Sequence, residues 1–167
     1  MPLTALINAV NEELKKTFLK IPVYNEYPQG KVLRKIPAIF FELPEFEESD
    51  IDPATGEVNL KLMFETRIII SVKQKKGRIE AANMAAKTVL MLKNNNFGLG
   101  NVTTPEKIRA LDEGLDPKIV NYEAWLVQWE QDIKIGENIF EKEPDFIPDK
   151  VFVGHGAQTI KDYEEIA

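Results

Sequence analysis

The sequence predicts an α+β fold: a mostly antiparallel, twisted sheet with a long protruding β-hairpin and two helices packed on one face. Three observations predict it. Residues 3–20 and 79–93 carry apolar side chains at the three-to-four spacing of a helix. Residues 58–73 and 119–135 alternate apolar and polar side chains with the period of two that a strand imposes. The first strands are grouped between the two helices, and that order suggests helices gathered on one face of an antiparallel sheet.

The first helix buries Leu3, Leu6, Ile7, Val10, Leu14 and Phe18, with Asn11, Glu12, Glu13, Lys15 and Lys16 mainly on the other side. Pro22 ends it, because its ring cannot continue the hydrogen-bond ladder. Val23–Tyr27 is a short strand candidate, and Pro28-Gln29-Gly30 reads as a turn. Ala38–Leu43 is a compact apolar run between Pro37 and Pro44. Prolines suit strand margins and not the inside of a central strand. In Val58–Lys73, strict alternation puts Leu60, Leu62, Phe64, Thr66, Ile68, Ile70 and Val72 on one face. Asn59, Lys61, Glu65, Arg67, Ser71 and Lys73 take the other, with Met63 and Ile69 among them. At about 3.3 Å per residue this strand would run for about 50 Å, beyond the body of a small domain. Its expected partner is Ala38–Glu47, with Glu48–Glu57 as the hairpin loop.

Gly77 breaks the chain before a second helix, Ile79–Lys93. Ile79, Ala82, Ala86, Val89 and Leu90 are expected toward the core, and the small Ala81, Ala82, Ala85 and Ala86 allow close packing on a sheet. Asn94-Asn95-Asn96 is a stop signal, since asparagine tolerates the left-handed cap conformation. Lys107–Leu111 reads as a strand, although Thr104-Pro105-Glu106 would also start a helical turn. In Ile119–Ile135, Trp125, Val127, Trp129, Ile133 and Ile135 share one face. Val120, Tyr122, Ala124 and Leu126 share the other, which turns polar at Gln128, Glu130 and Asp132. Gly136 ends this strand. The expected organisation is one α+β domain, residues 1–136, and an acidic, proline-punctuated C-terminal arm, 137–167, with one short strand at Val151–Val153.

Composition narrows the function. A chain of 167 residues fits one ordinary domain that needs no staple. It has no cysteine, which removes disulfides, thiolate metal sites and cysteine nucleophiles. A single histidine removes multi-histidine zinc sites. The net charge of −6 disfavours a duplex nucleic-acid binder. No apolar run reaches the roughly 20 residues a membrane helix needs. No basic leader precedes the first apolar residues, so a cytoplasmic protein is expected.

The residues offer little catalytic chemistry. His155 lies in Gly154-His155-Gly156; as a base it would need a serine, cysteine or second histidine that is not there to complete a known geometry. The plainer reading is an exposed histidine in a glycine turn. Asp50–Glu57 superficially resembles a calcium loop, but Pro53 and Ala54 interrupt the alternating ligands and the glutamate comes too early. Gly98-Leu99-Gly100 follows a helix end rather than a strand, which argues against a phosphate cradle. Acid–base pairs arise by chance among 27 acidic residues. Trp125 and Trp129 could stack sugars or bases, but a shared strand face suits packing better.

Charge is more informative. Glu42–Glu57 holds seven acidic residues and no basic one. Val58–Lys93 holds eight basic residues against Glu65 and Glu80. From Glu137 onward there are eight acidic and three basic residues. The long strand thus has Glu45, Glu47, Glu48, Asp50 and Asp52 toward one end and Lys73, Lys75, Lys76 and Arg78 toward the other. Such polarity suits a head-to-tail contact between copies, acidic tip against basic base, which closes into a ring when the rotation allows.

Several of these features resemble the tail terminator (tail completion, minor tail) proteins of tailed bacteriophages and prophages, especially of the contractile-tailed, Mu-like type. They are the N-terminal helix leading to Pro22-Val23-Tyr24-Asn25-Glu26, the proline-led strand Pro37–Glu47, and the long strand Phe64–Val72 with the alanine-rich helix after it. The strand Trp125–Ile135 ending in Gly136 completes the set. The likeness covers about residues 3–136. It implies a structural virion protein rather than an enzyme, with no cofactor and no catalytic residue. It implies a hexameric ring on the end of the tail tube, which stops tube polymerisation and offers a head-joining surface. The implied partners are further copies of the chain, the tail tube protein and a head-completion or connector protein; membranes and sequence-specific nucleic acid are not implied. The implied location is the virion tail, with assembly in the host bacterial cytoplasm. Two other classes are kept in view: a small enzyme using His155 or a carboxylate pair, and an adaptor binding peptide or single-stranded nucleic acid through Trp125, Trp129 and Lys73–Arg78.

Overall fold

The structure, a computed structural model, describes residues 2–25, 36–51, 55–71, 73, 76–113, 122–137, 151–153 and 164–166. The chain divides into two units, Met1–Glu137 and Asn138–Ala167. The first holds α1 (Pro2–Thr17), β1 (Val23–Tyr24), β2 (Ala38–Ile51), β3 (Val58–Ser71), α2 (Gly77–Leu92), β4 (Glu106–Asp112) and β5 (Tyr122–Ile135). Its sheet has the order β1-β2-β3-β5-β4, with β1 parallel to β2 and every other pair antiparallel. In the second unit, β6 (Val151–Val153) pairs antiparallel with β7 (Glu164–Ile166). The acidic segment that forms β7 carries no strand signal in its sequence.

β3 and β5 run side by side without a break in register, from Val58 opposite Ile135 to Ser71 opposite Tyr122. The long hairpin β2–β3 is therefore backed along its whole length by a third strand. β2 also runs further than the sequence suggests, to Ile51, which shortens the hairpin loop. It passes straight through Pro44. That is possible because the pairing shifts there, between Glu42 and Glu45, and because β1 covers β2 only at Ile39 and Phe40. Pro44 thus lies on an edge, where its missing N–H breaks no ladder.

The core lies between the helices and one face of the sheet. Leu6, Val10, Leu14 and Phe18 of α1 and the turn after it meet Ile39, Phe41, Leu62, Phe64, Ile68, Val127, Trp129 and Ile133. Trp129 stacks on Phe64 at 5.2 Å and on Phe41 at 6.0 Å and is fully buried, so it packs in the core and is not available to stack a sugar or base. α1 stops at Thr17, before Pro22, in a turn where Ile21 N–H donates to the Phe18 carbonyl. Asn11, expected on the polar side, is buried. It belongs to the ridge Ile7–Asn11–Leu14–Phe18, whose other members all pack on the core. At one end of the opposite sheet face, Ala38, Phe40, Ile69 and Ala124 form a smaller apolar cluster, which accounts for Ile69 on the otherwise polar side of β3.

α2 departs from the sequence reading. Its buried stripe is Gly77, Ala81, Ala85, Thr88 and Leu92, while Ile79 and Leu90 are 60% and 71% exposed. Ala86 is exposed, and Ala82 and Val89 are half-buried. The expected core face is thus turned outward by about 130°, rather more than a third of a turn. The physical reason is that apolar residues wrap most of this helix. Close approach to the sheet then selects the arc with the smallest side chains, because large ones there would hold the helix away. The helix ends as expected, with Asn94 in the left-handed region at φ 57 and the Asn95 N–H donating to the Leu92 carbonyl.

Candidate assembly surface

Two surfaces concentrate the polar chemistry of the first unit. The first is the sheet face away from the helices. Glu42 and Glu65 stand directly opposite each other in the β2–β3 register, an arrangement of like charges that costs stability if nothing intervenes. Arg67, two residues along β3 on the same face, intervenes. Its guanidinium donates to Glu65 Oε2 at 2.6 Å, Glu42 Oε2 at 3.2 Å and Glu113 Oε1 at 3.2 Å. Burial works against the Arg67 charge, but Glu113, Glu65 and Glu42 outweigh it and hold its pKa above the ordinary arginine value. Gln128 donates to Glu65 and accepts from Arg109 at 2.8 Å. Lys107 pairs with Glu130 at 2.8 Å; that hydrogen bond, with the carboxylate charge, raises the lysine pKa. Lys107 and Glu130 also line a shallow hollow of about 130 Å³ with Glu45, Phe46, Glu47, Lys61 and Met63. The hollow is open, and Lys107 and Glu130 are paired across β4 and β5 within it. Among the described residues no group of three acidic or histidine side chains is placed to hold a metal.

The second surface is the pair of ends of the long strands. At one end Glu45, Glu47, Glu48 and Asp50 are exposed along the outer part of β2. Asp50 accepts from the Ile51 N–H at 2.8 Å, and Ser49 Oγ donates to the Asn59 carbonyl. Asp52 lies outside the described residues. At the other end Lys73 and Lys76 are exposed, and Lys75 lies outside the described residues. Arg78 is exposed but pairs with Asp112 at 2.7 Å, so part of its charge is answered within the chain. β3 spans 14 residues between the two ends, about 43 Å at the usual rise per residue. That is several Debye lengths at physiological salt, so the acidic and basic ends do not neutralise each other within one copy. The structure thus gathers the acidic residues at one end and Lys73, Lys76 and Arg78 at the other, and it brings no member of one group to the other.

Sequence reasoning missed the Arg67 network and the outward face of α2. The alternation in β3 and β5 does place Glu65, Arg67 and Gln128 on one face, but Glu42 and Glu113 join them only through strand register, Glu113 directly after β4 with its N–H donating to the Ala124 carbonyl. His155 lies outside the described residues, as does the loop that superficially resembled a calcium site at 52–54.

No family model and no curated protein matches this chain. Solved structures do. A chain from an extracellular contractile injection system, solved with its sheath/tube terminator in the extended state, aligns at TM-score 0.42 and 11% identity, over 90% of this chain and 64% of that one. A chain from the virion of a native gene transfer agent particle aligns at TM-score 0.54 and 15% identity, covering 78% of this chain and 95% of that one. The α+β architecture described above is therefore the fold of a chain found in an assembled virion.

Proposed function

We propose that this chain is a structural protein of a phage-like tail, a tail-terminator-type subunit that caps the end of a tail tube as a ring. The observation that carries the reading is the separation of exposed acidic and basic ends along the three paired strands β2, β3 and β5. Charges that cannot meet within a copy are available to meet between copies, and two different patches on each subunit make the contact head-to-tail. The gene transfer agent likeness supports the same reading, since that neighbour is a chain of a virion. In this proposal the ring is hexameric, one rim meets the tube protein and stops its polymerisation, and the other receives a head-completion protein. Glu45, Glu47, Glu48, Asp50 and Asp52 of one copy face Lys73, Lys75, Lys76 and Arg78 of the next. The arm at 137–167 serves docking rather than folding. The reading needs no catalytic residue, cofactor or metal.

Native mass spectrometry over a concentration and salt series tests it. A closed ring that dissociates as salt rises is the expected result. Reversing Lys73, Lys75, Lys76 and Arg78 to glutamate should abolish the ring and leave the circular dichroism spectrum unchanged. A wild-type chain that stays monomeric at every concentration, and also fails to bind the end of a tail tube, would sink the proposal.

A further inference from the structure

Among the described residues, the outward face of α2 has no partner in the chain itself. Ile79, Asn83, Ala86 and Leu90 fall on one ridge at helical spacing, and all four are exposed. Lys87 lies beside this ridge. Its Nζ donates to the Thr17 carbonyl at 2.6 Å and sits 5.1 Å from the centre of the Phe18 ring. That brings the turn after α1 alongside, with Leu19 86% exposed. Seven large apolar side chains are exposed among the described residues, and three of them (Leu19, Ile79, Leu90) lie here. Two more, Phe46 and Ile51, lie on the outer part of β2 among Glu45, Glu47, Glu48 and Asp50. Most of the exposed apolar surface is thus divided between two places. Their charges are opposite: Lys76, Lys87 and Lys93 against Glu80 on α2 and its ends, with Arg78 paired to Asp112, and Glu45, Glu47, Glu48 and Asp50 on the outer part of β2, with Lys61 of β3 opposite Glu47.

We infer that these two places are the halves of one contact: the α2 ridge of one copy receives the outer part of β2 from a second copy. The inference rests on the ring reading and deepens it, because it moves the centre of the contact from the charged strand ends to a helix face. Apolar side chains would supply the buried middle and the lysines and glutamates a polar rim, which is the usual anatomy of a specific interface. The two halves cannot meet within one chain. The buried stripe of α2 faces the sheet that contains β2, so the ridge points away from it. Because the halves differ, the contact is head-to-tail and each copy keeps one half free for the next neighbour. Complementary charge also argues for a second copy over an unrelated protein, since both members of the match are written in this sequence.

The absence of cysteine makes a clean test. Phe46→Cys and Leu90→Cys variants of the full chain are prepared separately, mixed, and treated with a short bis-maleimide. Covalent dimers in the mixture, and in neither variant alone, are expected. Dimers of Leu90→Cys with itself would show a two-fold helix contact and overturn the inference. In parallel, the double variant Ile79→Asp/Leu90→Asp should raise the concentration for half-assembly about tenfold or more with an unchanged thermal midpoint. If the wild type forms rings while the mixture gives no cross-link and the aspartate variant assembles normally, the inference fails and the ring reading stands. If the wild type forms no ring, gives no cross-link and does not bind the end of a tail tube, both fail.

Discussion

The two helices have the same length and lie on the same sheet, yet they use their apolar residues in opposite ways. α1 turns its large side chains inward: Leu6, Val10 and Leu14 are fully buried. α2 turns its small ones inward and leaves Ile79 and Leu90 to the outside. The difference teaches that a helical period identifies a face only when the rest of the helix is polar. α1 has that contrast, with Glu12, Glu13, Lys15 and Lys16 opposite its stripe. α2 has apolar residues nearly all round, so the seat is chosen by size. A helix that is apolar on both sides is also suited to a second partner.

Mutation can break this contrast or make it sharper. The largest effect is expected in α1. Leu14→Ala should cost about 2–5 kcal/mol of unfolding free energy, read from urea denaturation, because it leaves a cavity under a fully buried side chain. In α2 the damaging change is enlargement rather than truncation. Ala85→Leu should cost about 1–3 kcal/mol by overpacking a fully buried position, while the same change at exposed Ala86 should be nearly silent. Next, Lys76 caps α2 at φ 71 with no side-chain capping bond. Lys76→Gly should stabilise the isolated chain by up to about 1 kcal/mol, since glycine adopts that conformation without a Cβ penalty, and should weaken assembly through the lost charge. The smallest effect should come from Leu90→Ala, within about 0.5 kcal/mol of wild type by thermal melt. A large loss there would mean that the outward face is part of the fold and not a free surface.

Much of the fold is legible in the sequence. The alternation of Val58–Ser71 and of Trp125–Ile135, interrupted only at Met63, Ile69, Leu126 and Gln131, marks two strands and their inward faces, and the stripe of α1 marks the first helix. The second strand is harder. Pro44 argues for a stop, and only the register shift and the edge position explain why the strand continues. The partition of charge is visible in the sequence, but its meaning is not. Whether Arg78 is available depends on Asp112, which lies 34 residues away and is brought near by the fold. Arg67 reads as one more surface cation until register sets Glu42 beside Glu65. The ridge on α2 needs knowledge of which small residues touch the sheet, and that is a tertiary fact.

The outer part of β2 has one more consequence. Among the described residues its edge away from β3 has no strand partner beyond Phe40, and an open strand edge is ordinarily a template on which another chain adds itself. Here the template is spoiled. Pro44 removes a donor, the pairing with β3 slips twice, and carboxylates crowd the margin. These features disfavour a second strand bonding along it in register. A subunit proposed to halt the growth of a tube thus carries an edge ill suited to seed a sheet of its own, and its copies are left to meet through side chains, where contacts can be counted and closed.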